Sequence, residues 1–338
     1  MMTTVDFQAT PASTDIFGRT WVGRRVVVVG LGKSGIAAAR LLCRVGARVV
    51  ATDQREAAAL PAVRDTLTRC GVEQVECGGH QHHWIDQAEL LVVSPGVPES
   101  ALPVQWALER HVPIISEIEL AYLFCGSPVI AVTGTNGKST ATTLIAALLE
   151  ASGRPAIACG NLGTPFSSIL ERLTPTTVAV VEVSSFQLVW CDQFRPAIGV
   201  WLNIEANHLD RHADLQDYFT AKTRLFQRQT PTDWAVLNGT NARIVEWSQQ
   251  LFTQRVWFGH TQANAAAFQL APQTQQVLTE TAQAVLQVGR VMGIPDPLTW
   301  QVIRSFRGLE HRLESVGTIK GVRCINDSKS TTPASLLF

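Results

Sequence analysis

The sequence carries no charge excess of either sign. Lys and Arg number 28 against 28 Asp and Glu, and charged residues make up only 17% of the 338, against about 25% in an ordinary soluble domain. A chain that grips nucleic acid or an anionic membrane surface needs surplus positive charge, so any anion site here must be local. The seven cysteines (Cys43, Cys70, Cys77, Cys125, Cys159, Cys191 and Cys324) are odd in number and include no CxxC pair. That argues against a disulfide framework or a zinc cluster and fits a reducing compartment. No apolar run approaches the roughly 18 residues a membrane helix needs. Met1 to Asp15 also lacks the basic-then-apolar pattern of a signal peptide. A soluble cytoplasmic protein, making no use of nucleic acid or membrane, is predicted. Hydrophobic residues are plentiful at 46%, which excludes a disordered chain.

The length predicts two domains and the start of a third. Two segments read as strand, glycine-rich turn and helix. The first runs Arg25 to Val29, then Gly30-Leu31-Gly32-Lys33-Ser34-Gly35, then Ile36 to Val45. The second runs Pro128 to Val132, then Thr133-Gly134-Thr135-Asn136-Gly137-Lys138-Ser139, then Thr140 to Ala151. Further β-branched strands are predicted at Arg48 to Thr52, Leu90 to Ser94, Val112 to Ile115, Val178 to Val183 and Ile198 to Ile204. Short buried strands alternating with helical stretches indicate an α/β protein with mostly parallel sheets. The break between units is expected within Ile115 to Ser127. Thr261 to Gln287, rich in Gln and Ala, reads as helix or loop, and Val322 to Asp327 as one strand entering a loop.

Gly30-x-Gly32-x-x-Gly35 permits a tight turn and close backbone approach to a phosphate at a helix N-terminus. Asp53, ending the next strand, could accept hydrogen bonds from a ribose. This pattern does not separate a nicotinamide dinucleotide from a nucleotide sugar. The Gly134 to Thr140 loop is more specific. Its N–H groups can cradle the phosphates of ATP, Lys138 can reach the β/γ oxygens, and Ser139 or Thr140 can hold Mg²⁺. It is no strict Walker A match, since Val132 stands where that pattern has Gly. A dehydrogenase needs only the first loop and an ordinary ATPase only the second. Both together imply a nucleotide-tagged substrate brought to ATP.

From about Val22 to Ala334 the chain resembles the Mur ligase family. The resemblance rests on Ser94-Pro95-Gly96-Val97-Pro98, Thr133 to Thr140, Gly160-Asn161-Leu162-Gly163, Glu182 to Leu188, Asn207 to His212, His311-Arg312-Leu313-Glu314 and Asn326-Asp327-Ser328-Lys329. The Ser-Ser-Phe-Gln-Leu and Asn-Asp-Ser-Lys strings favour the branch that adds D-glutamate to UDP-N-acetylmuramoyl-L-alanine. The fold this implies is α/β: a Rossmann-like domain binding the UDP substrate (1–115), a central P-loop-type ATP-binding domain (116–306), and the start of a C-terminal ligase domain (307–338). The activity it implies is ATP-dependent, ADP-forming amide ligation through an acyl phosphate, in cytoplasmic peptidoglycan precursor synthesis, by a monomer.

The resemblance also implies roles for residues. Gly134, Thr135, Asn136, Gly137, Lys138, Ser139 and Thr140 bind ATP, with Lys138 neutralising the β/γ-phosphates. Ser139 or Thr140, with Glu182, hold Mg²⁺. His208 binds a second Mg²⁺, and Lys222 carries a CO₂-derived carbamate that orients or ligates it. Carbamylation needs a neutral amine, so Lys222 must be partly buried to lower its pKa from about 10.4. Lys33, Ser34, Asp53, Arg55, Ser94, Pro95 and Gly96 match the uridine-diphosphate pocket, and Asn161 and Gln187 positions near the sugar and the reacting carboxylate. Arg312, Asp327 and Lys329 match groups that close over the adenine nucleotide.

The sequence departs from the family in three places. It ends eleven residues past Asp327, just inside the third domain that supplies the D-glutamate pocket. Ala267 to Gln287 lacks the family's Gly-x-His-Asn-x-x-Asn stretch. Asn207 stands where the family often has Asp. The chain is therefore expected to bind the UDP substrate without completing amide formation alone. Three other functions compete. A non-catalytic remnant would bind ligand without releasing phosphate. An NAD(P)-dependent oxidoreductase would leave the Gly134 loop unexplained. A folate-polyglutamylating ligase would leave the Gly30 loop and the Asn-Asp-Ser-Lys string unexplained.

Overall fold

Two parallel sheets organise the protein. The structure, a computed structural model, describes residues 14–60, 62–205, 211–259, 272–311, 314–319 and 321–328. The first sheet is built from β1 (Arg25–Val29), β2 (Arg48–Asp53), β3 (Gln74–Cys77), β4 (Leu90–Val93) and β5 (Ile114–Ser116), in the order β3-β2-β1-β4-β5. Its helices are α1 (Lys33–Arg44), α2 (Val63–Arg69), α3 (His82–Asp86) and α4 (Leu102–Glu109). Both faces are covered. Val26 and Val28 pack with Leu41 and Leu42 of α1, whereas Val27 and Val29 pack with Val104 and Ala107 of α4. Successive strand residues point to opposite faces, so a strand buried on both sides is apolar throughout. That is why β1 reads as an unbroken run of valines.

A connecting helix, α5 (Glu117–Leu123), leads to the second sheet: β6 (Val129–Thr133), β7 (Ala156–Gly160), β8 (Val178–Glu182), β9 (Ile198–Trp201), β10 (Trp234–Asn238) and β11 (Gln254–Phe258). The order is β11-β10-β9-β6-β8-β7, parallel throughout. The remaining helices are α6 (Lys138–Ala151), α7 (Ser185–Leu188), α8 (Leu215–Thr223), α9 (Ala242–Ser248), α10 (Pro272–Val291) and α11 (Asp296–Ser305). Ile130 and Val132 of β6 face Leu144, Leu148 and Val285. Val129 and Ala131 face Ile118, Phe219 and Phe226. Burying each of these aliphatic side chains contributes roughly 1.5–3 kcal/mol. A separate antiparallel pair, β12 (Glu314–Ile319) and β13 (Val322–Asn326), bonds to neither parallel sheet.

The strand order places each glycine loop at a reversal point. β1 lies between β2 and β4, and β6 lies between β8 and β9. There the loops leaving adjacent strands diverge to opposite faces and open a crevice at the carboxyl ends. Five strands escape the sequence reading. β3 and β11 are half-exposed sheet edges with polar sequences, Gln-Val-Glu-Cys and Gln-Arg-Val-Trp-Phe. β7 is the other edge, and β10 and β12 fall in stretches where no strand was expected. Gln-rich Pro272–Val291 is helix. No helix among the described residues is long and apolar enough to cross a membrane.

Candidate active site

The first glycine loop is held by close contacts that only glycine permits. Gly30 has φ +87°, and a Cβ on Gly35 would lie 1.8 Å from the Gly30 carbonyl oxygen. Ser94, just past β4, donates from Oγ to that same carbonyl at 2.7 Å. Asp53 ends β2 and is buried. Its Oδ2 accepts from the Leu31 N–H at 2.6 Å and from Arg55 Nη2 at 2.7 Å. Its Oδ1 accepts from the Arg55 N–H and Nε at 2.8 and 2.9 Å. Burial pushes this carboxyl's pKa up, but the Arg55 guanidinium and the two backbone N–H groups outweigh it and hold the pKa at about 2. Four donors fill the roughly four lone-pair sites of a carboxylate. Asp53 therefore shapes the loop and aims Arg55, leaving no acceptor for a ribose hydroxyl. Lys33 is exposed and Ser34 half-buried at the start of α1. Pro95 is half-buried and Gly96 exposed in the turn after Ser94.

The second loop follows β6. The Asn203 side chain, just past neighbouring β9, clamps it. Its Oδ1 accepts from the N–H groups of Thr135 and Asn136 at 2.9 and 2.8 Å, and its Nδ2 donates to the Asn136 carbonyl at 3.3 Å. Two loop amides are thus committed to shape. The amides from Gly137 to Thr140 open α6, where helix geometry leaves the first N–H groups without intrahelical acceptors, a place suited to an anion. Lys138 Nζ folds over the loop, donating to the carbonyls of Gly134 at 3.0 Å and Thr135 at 2.9 Å. Ser139 is buried and Thr140 half-buried beside it.

Lys222, on α8, lies beneath this loop with 1% of its surface exposed. Its Nζ donates to the Gly134 carbonyl at 3.0 Å and Thr133 Oγ1 at 3.4 Å, and lies 4.5 Å from the centre of the Tyr218 ring. Burial drives its pKa well below the usual value, and the Lys138 charge drives it further down. Glu182 opposes both. Lys138 and Glu182 thus act on the Lys222 amine with opposite sign. Glu182 ends β8; its Oε1 accepts from Asn161 Nδ2 at 2.8 Å, whereas its Oε2 is buried with no hydrogen-bond partner among the described residues. An unpaired buried carboxylate oxygen is costly without a cation. With the Ser139 and Thr140 hydroxyls it makes a hard-oxygen donor set suited to Mg²⁺. No cluster of three His, Cys, Asp or Glu suited to a metal occurs among the described residues. Mg²⁺ is commonly held by one or two protein oxygens plus phosphates and water, so the residues present fit it.

The family models for the Mur ligase middle domain and the MurD-like N-terminal domain of Mur ligases match residues 132–294 and 24–116. The chain is 39% identical over 332 residues to the UDP-N-acetylmuramoylalanine–D-glutamate ligase of Pelotomaculum thermopropionicum, spanning 92% of this chain and 72% of that protein. The ligase of the same name from Desulfosudis oleivorans is also 39% identical, over 331 residues, with the same coverage. The chain belongs to the Mur ligase family. Among solved structures it is similar to the UDP-N-acetylmuramate:L-alanyl-γ-D-glutamyl-meso-diaminopimelate ligase of Neisseria meningitides. The TM-score is 0.58 at 18% identity, covering 86% of this chain and all of the other. That likeness speaks for the Mur ligase fold.

Within this Mur ligase, Lys138, Ser139, Thr140, Glu182, Asn161 and Lys222 lie together at the carboxyl ends of β6, β7 and β8. Lys33, Ser34, Asp53, Arg55, Ser94, Pro95 and Gly96 gather around the first glycine loop. Gln187 is buried, and its Oε1 accepts from the N–H and hydroxyl of Ser184 at 3.0 and 2.9 Å in a capping box. It acts on its surroundings through the start of α7. Asp327 follows β13, in the separate two-stranded sheet. His208, Arg312 and Lys329 lie outside the described residues.

Sequence reasoning missed two constellations. One is the Asn203 clamp, which no motif marks. The other is a Ser–His–Asp array: His212 Nε2 lies 2.9 Å from Ser185 Oγ and its Nδ1 3.0 Å from Asp217 Oδ2. Ser185 is 2% exposed, so no substrate carbonyl reaches it, and the array joins α7 to α8. A hollow of about 500 Å³ is lined by Phe219, Thr223, Phe226, Trp247 and uncharged neighbours. It lies on a different face of α8 from Lys222 and has no charge to meet a phosphate.

Proposed function

We propose that this chain is an ATP-dependent, ADP-forming ligase that joins D-glutamate to UDP-N-acetylmuramoyl-L-alanine, in the cytoplasmic synthesis of peptidoglycan precursors. The observation that carries the reading is the meeting of Lys138 and Lys222 at the Gly134 carbonyl, beside the strand that Glu182 ends, in a chain 39% identical to ligases of that name. We assign the nucleotide sugar to a first unit (1–115), ATP to a second (116–306) and closure over the adenine nucleotide to residues from 307 onward, where Asp327 lies. Arg312, Lys329 and His208 keep their family roles in this reading, His208 beside a second Mg²⁺. All seven cysteines are unpaired, as a reducing compartment permits.

A carboxylate is a poor acyl donor because oxide would have to leave. Its oxygen therefore first takes the γ-phosphoryl group of ATP, ADP departs, and an acyl phosphate results. The neutral amine of D-glutamate then attacks the acyl carbon, the bond to phosphate breaks, and the amine loses a proton. The protein's work is to align anions that repel one another and to neutralise their charge. Lys138 swings from the loop carbonyls to the β/γ-phosphates. The amides of Gly137 to Thr140 receive phosphate oxygens at the positive end of α6. Ser139 or Thr140 and Glu182 would hold Mg²⁺, which supplies Lewis-acid neutralisation of the transferred group. Asn161, by holding Glu182 Oε1, leaves Oε2 for that ion. Burial and the nearby Lys138 lower the Lys222 pKa, which favours the neutral amine, the form that adds CO₂ to give a carbamate. The Asp53 carboxylate, filled by Leu31 and Arg55, leaves the Arg55 guanidinium to meet the substrate's phosphates.

The test incubates the 338-residue chain with UDP-N-acetylmuramoyl-L-alanine, D-glutamate, ATP and Mg²⁺. ADP release matched one for one by the D-glutamyl product in the mass spectrum supports the reading and overturns the expectation that the chain alone stops short of the amide. ADP release independent of both substrates, or no binding of the nucleotide sugar, overturns it.

A further inference from the structure

We propose that Arg211 is a positioning residue that sets the spacing between the two anion sites, clamping the nucleotide-sugar side to the phosphoryl-transfer side. The inference rests on the ligase reading above. Arg211 belongs to the second unit, yet its Nη2 donates to the carbonyls of Val97 at 3.0 Å and Pro95 at 3.3 Å in the turn after β4. That turn seats the first glycine loop. The Val97 N–H returns to the Ser94 carbonyl at 3.0 Å, and Ser94 Oγ holds the Gly30 carbonyl at 2.7 Å. A Cβ on Gly30 would strike Val97 Cγ2 at 2.8 Å, so loop and turn are in direct contact.

The guanidinium carbon lies over the Phe186 ring, 4.2 Å from its centre. Phe186 is on α7, four residues after Glu182, and its ring stacks on His212 at 5.3 Å and 13°. His212 in turn meets Ser185 and Asp217. An unbroken run of contacts thus joins Gly30 of the first loop to the helix following the Glu182 strand. A planar guanidinium suits this place because it donates in its plane while stacking on an aromatic face. A lysine ammonium cannot do both. The substrate spans the same gap, with its diphosphate at one end and its carboxylate at the other. A shift of about 1 Å between the ends costs on the order of 100-fold in transfer rate.

The test uses the full chain and the variants Arg211→Ala, Arg211→Lys and Phe186→Leu. Binding of UDP-N-acetylmuramoyl-L-alanine and of a non-hydrolysable ATP analogue is measured separately by calorimetry. Hydrogen exchange is followed in peptides covering Ser94 to Pro98. Both Arg211 variants are expected to bind the nucleotide sugar about 10-fold or more weakly, to bind the ATP analogue within about 2-fold of the parent, and to exchange faster at Ser94 to Pro98. Phe186→Leu should fall between. An Arg211→Lys variant with parental nucleotide-sugar affinity would assign the effect to charge alone and overturn the clamp. Equal weakening toward both ligands would reduce it to general destabilisation and also overturn it. If the parent chain binds no nucleotide sugar, the ligase reading fails and exchange alone decides. Faster exchange in Arg211→Ala then upholds the grip on the turn, and unchanged exchange removes it.

Discussion

The ammonium groups of Lys138 and Lys222 converge on one carbonyl: each donates to the Gly134 oxygen at 3.0 Å. Two cations sharing one acceptor repel, and burial together with the Lys138 charge lowers the Lys222 pKa.

The lowered Lys222 pKa has a thermodynamic signature. Folded, its pKa lies well below the usual value; unfolded, it returns to about 10.4. Between those values the unfolded chain binds a proton that the folded chain does not, so stability rises with pH by at most about 1.4 kcal/mol per unit. In CO₂-free buffer, Lys222→Met should flatten the rise, as read from urea midpoints at pH 7 and pH 9. Under assay conditions Lys222→Ala is expected to lose on the order of 100-fold in turnover, part of it restored by acetate standing in for the carbamate. Full activity without acetate or CO₂ would remove the carbamate from the mechanism.

Replacing Glu182 by Gln takes away the unpaired oxygen and its charge. The ligand-free variant should be as stable as the parent or more so, because an uncompensated buried carboxylate is gone. Adding Mg²⁺ and an ATP analogue at about 100 times the parental Kd should stabilise the parent by about 2.7 kcal/mol and the variant far less. Thermal shift with and without Mg²⁺ reads this directly. Equal Mg²⁺-dependent shifts would take Glu182 out of the cation site.

Asn203→Ala deletes the clamp on the second loop, leaving the Asn136 N–H without its acceptor. A loss of about 1–3 kcal/mol in stability is expected, with weaker ATP-analogue binding and unchanged nucleotide-sugar binding. Calorimetry with each ligand distinguishes this from the Arg211 variants, which are expected to do the reverse.

Asp53 gives the first loop an acid-sensitive latch. Its folded pKa of about 2 lies below the unfolded value of about 3.9. The stabilisation it brings is complete above about pH 4 and is lost as pH falls through about 2. Asp53→Asn should lack that acid-side decline in denaturant midpoints between pH 4 and pH 2, and should bind the nucleotide sugar more weakly at neutral pH. A parental pH profile in the variant would show that the carboxylate is not held as described.

The clearest sequence signals were those imposed by sterics and burial. β1, β2, β4, β6, β8 and β9 were legible because strands covered on both faces are apolar along their middles, as in Val26-Val27-Val28-Val29. The two glycine loops were legible because Gly30 and Gly35 stand where any Cβ would collide. The edge strands β3 and β11 were not, since an edge tolerates Gln, Glu and Arg, and such stretches look like loop; β7, Ala-Ile-Ala-Cys-Gly, offers a single β-branched residue.

The amino-acid sequence by itself determined the α/β class, the two phosphate loops and the family, because each depends on residues adjacent in the chain. Only the tertiary structure decided that Lys222 lies against the Gly134 carbonyl, that Asn203 holds the second loop, that Asp53 spends its oxygens on Leu31 and Arg55, and that Arg211 reaches the turn after β4. Those partners are brought within 3 Å or so by strand order and helix packing. A distance in space between residues far apart along the chain is set by the packing of the whole fold, and no local pattern records it.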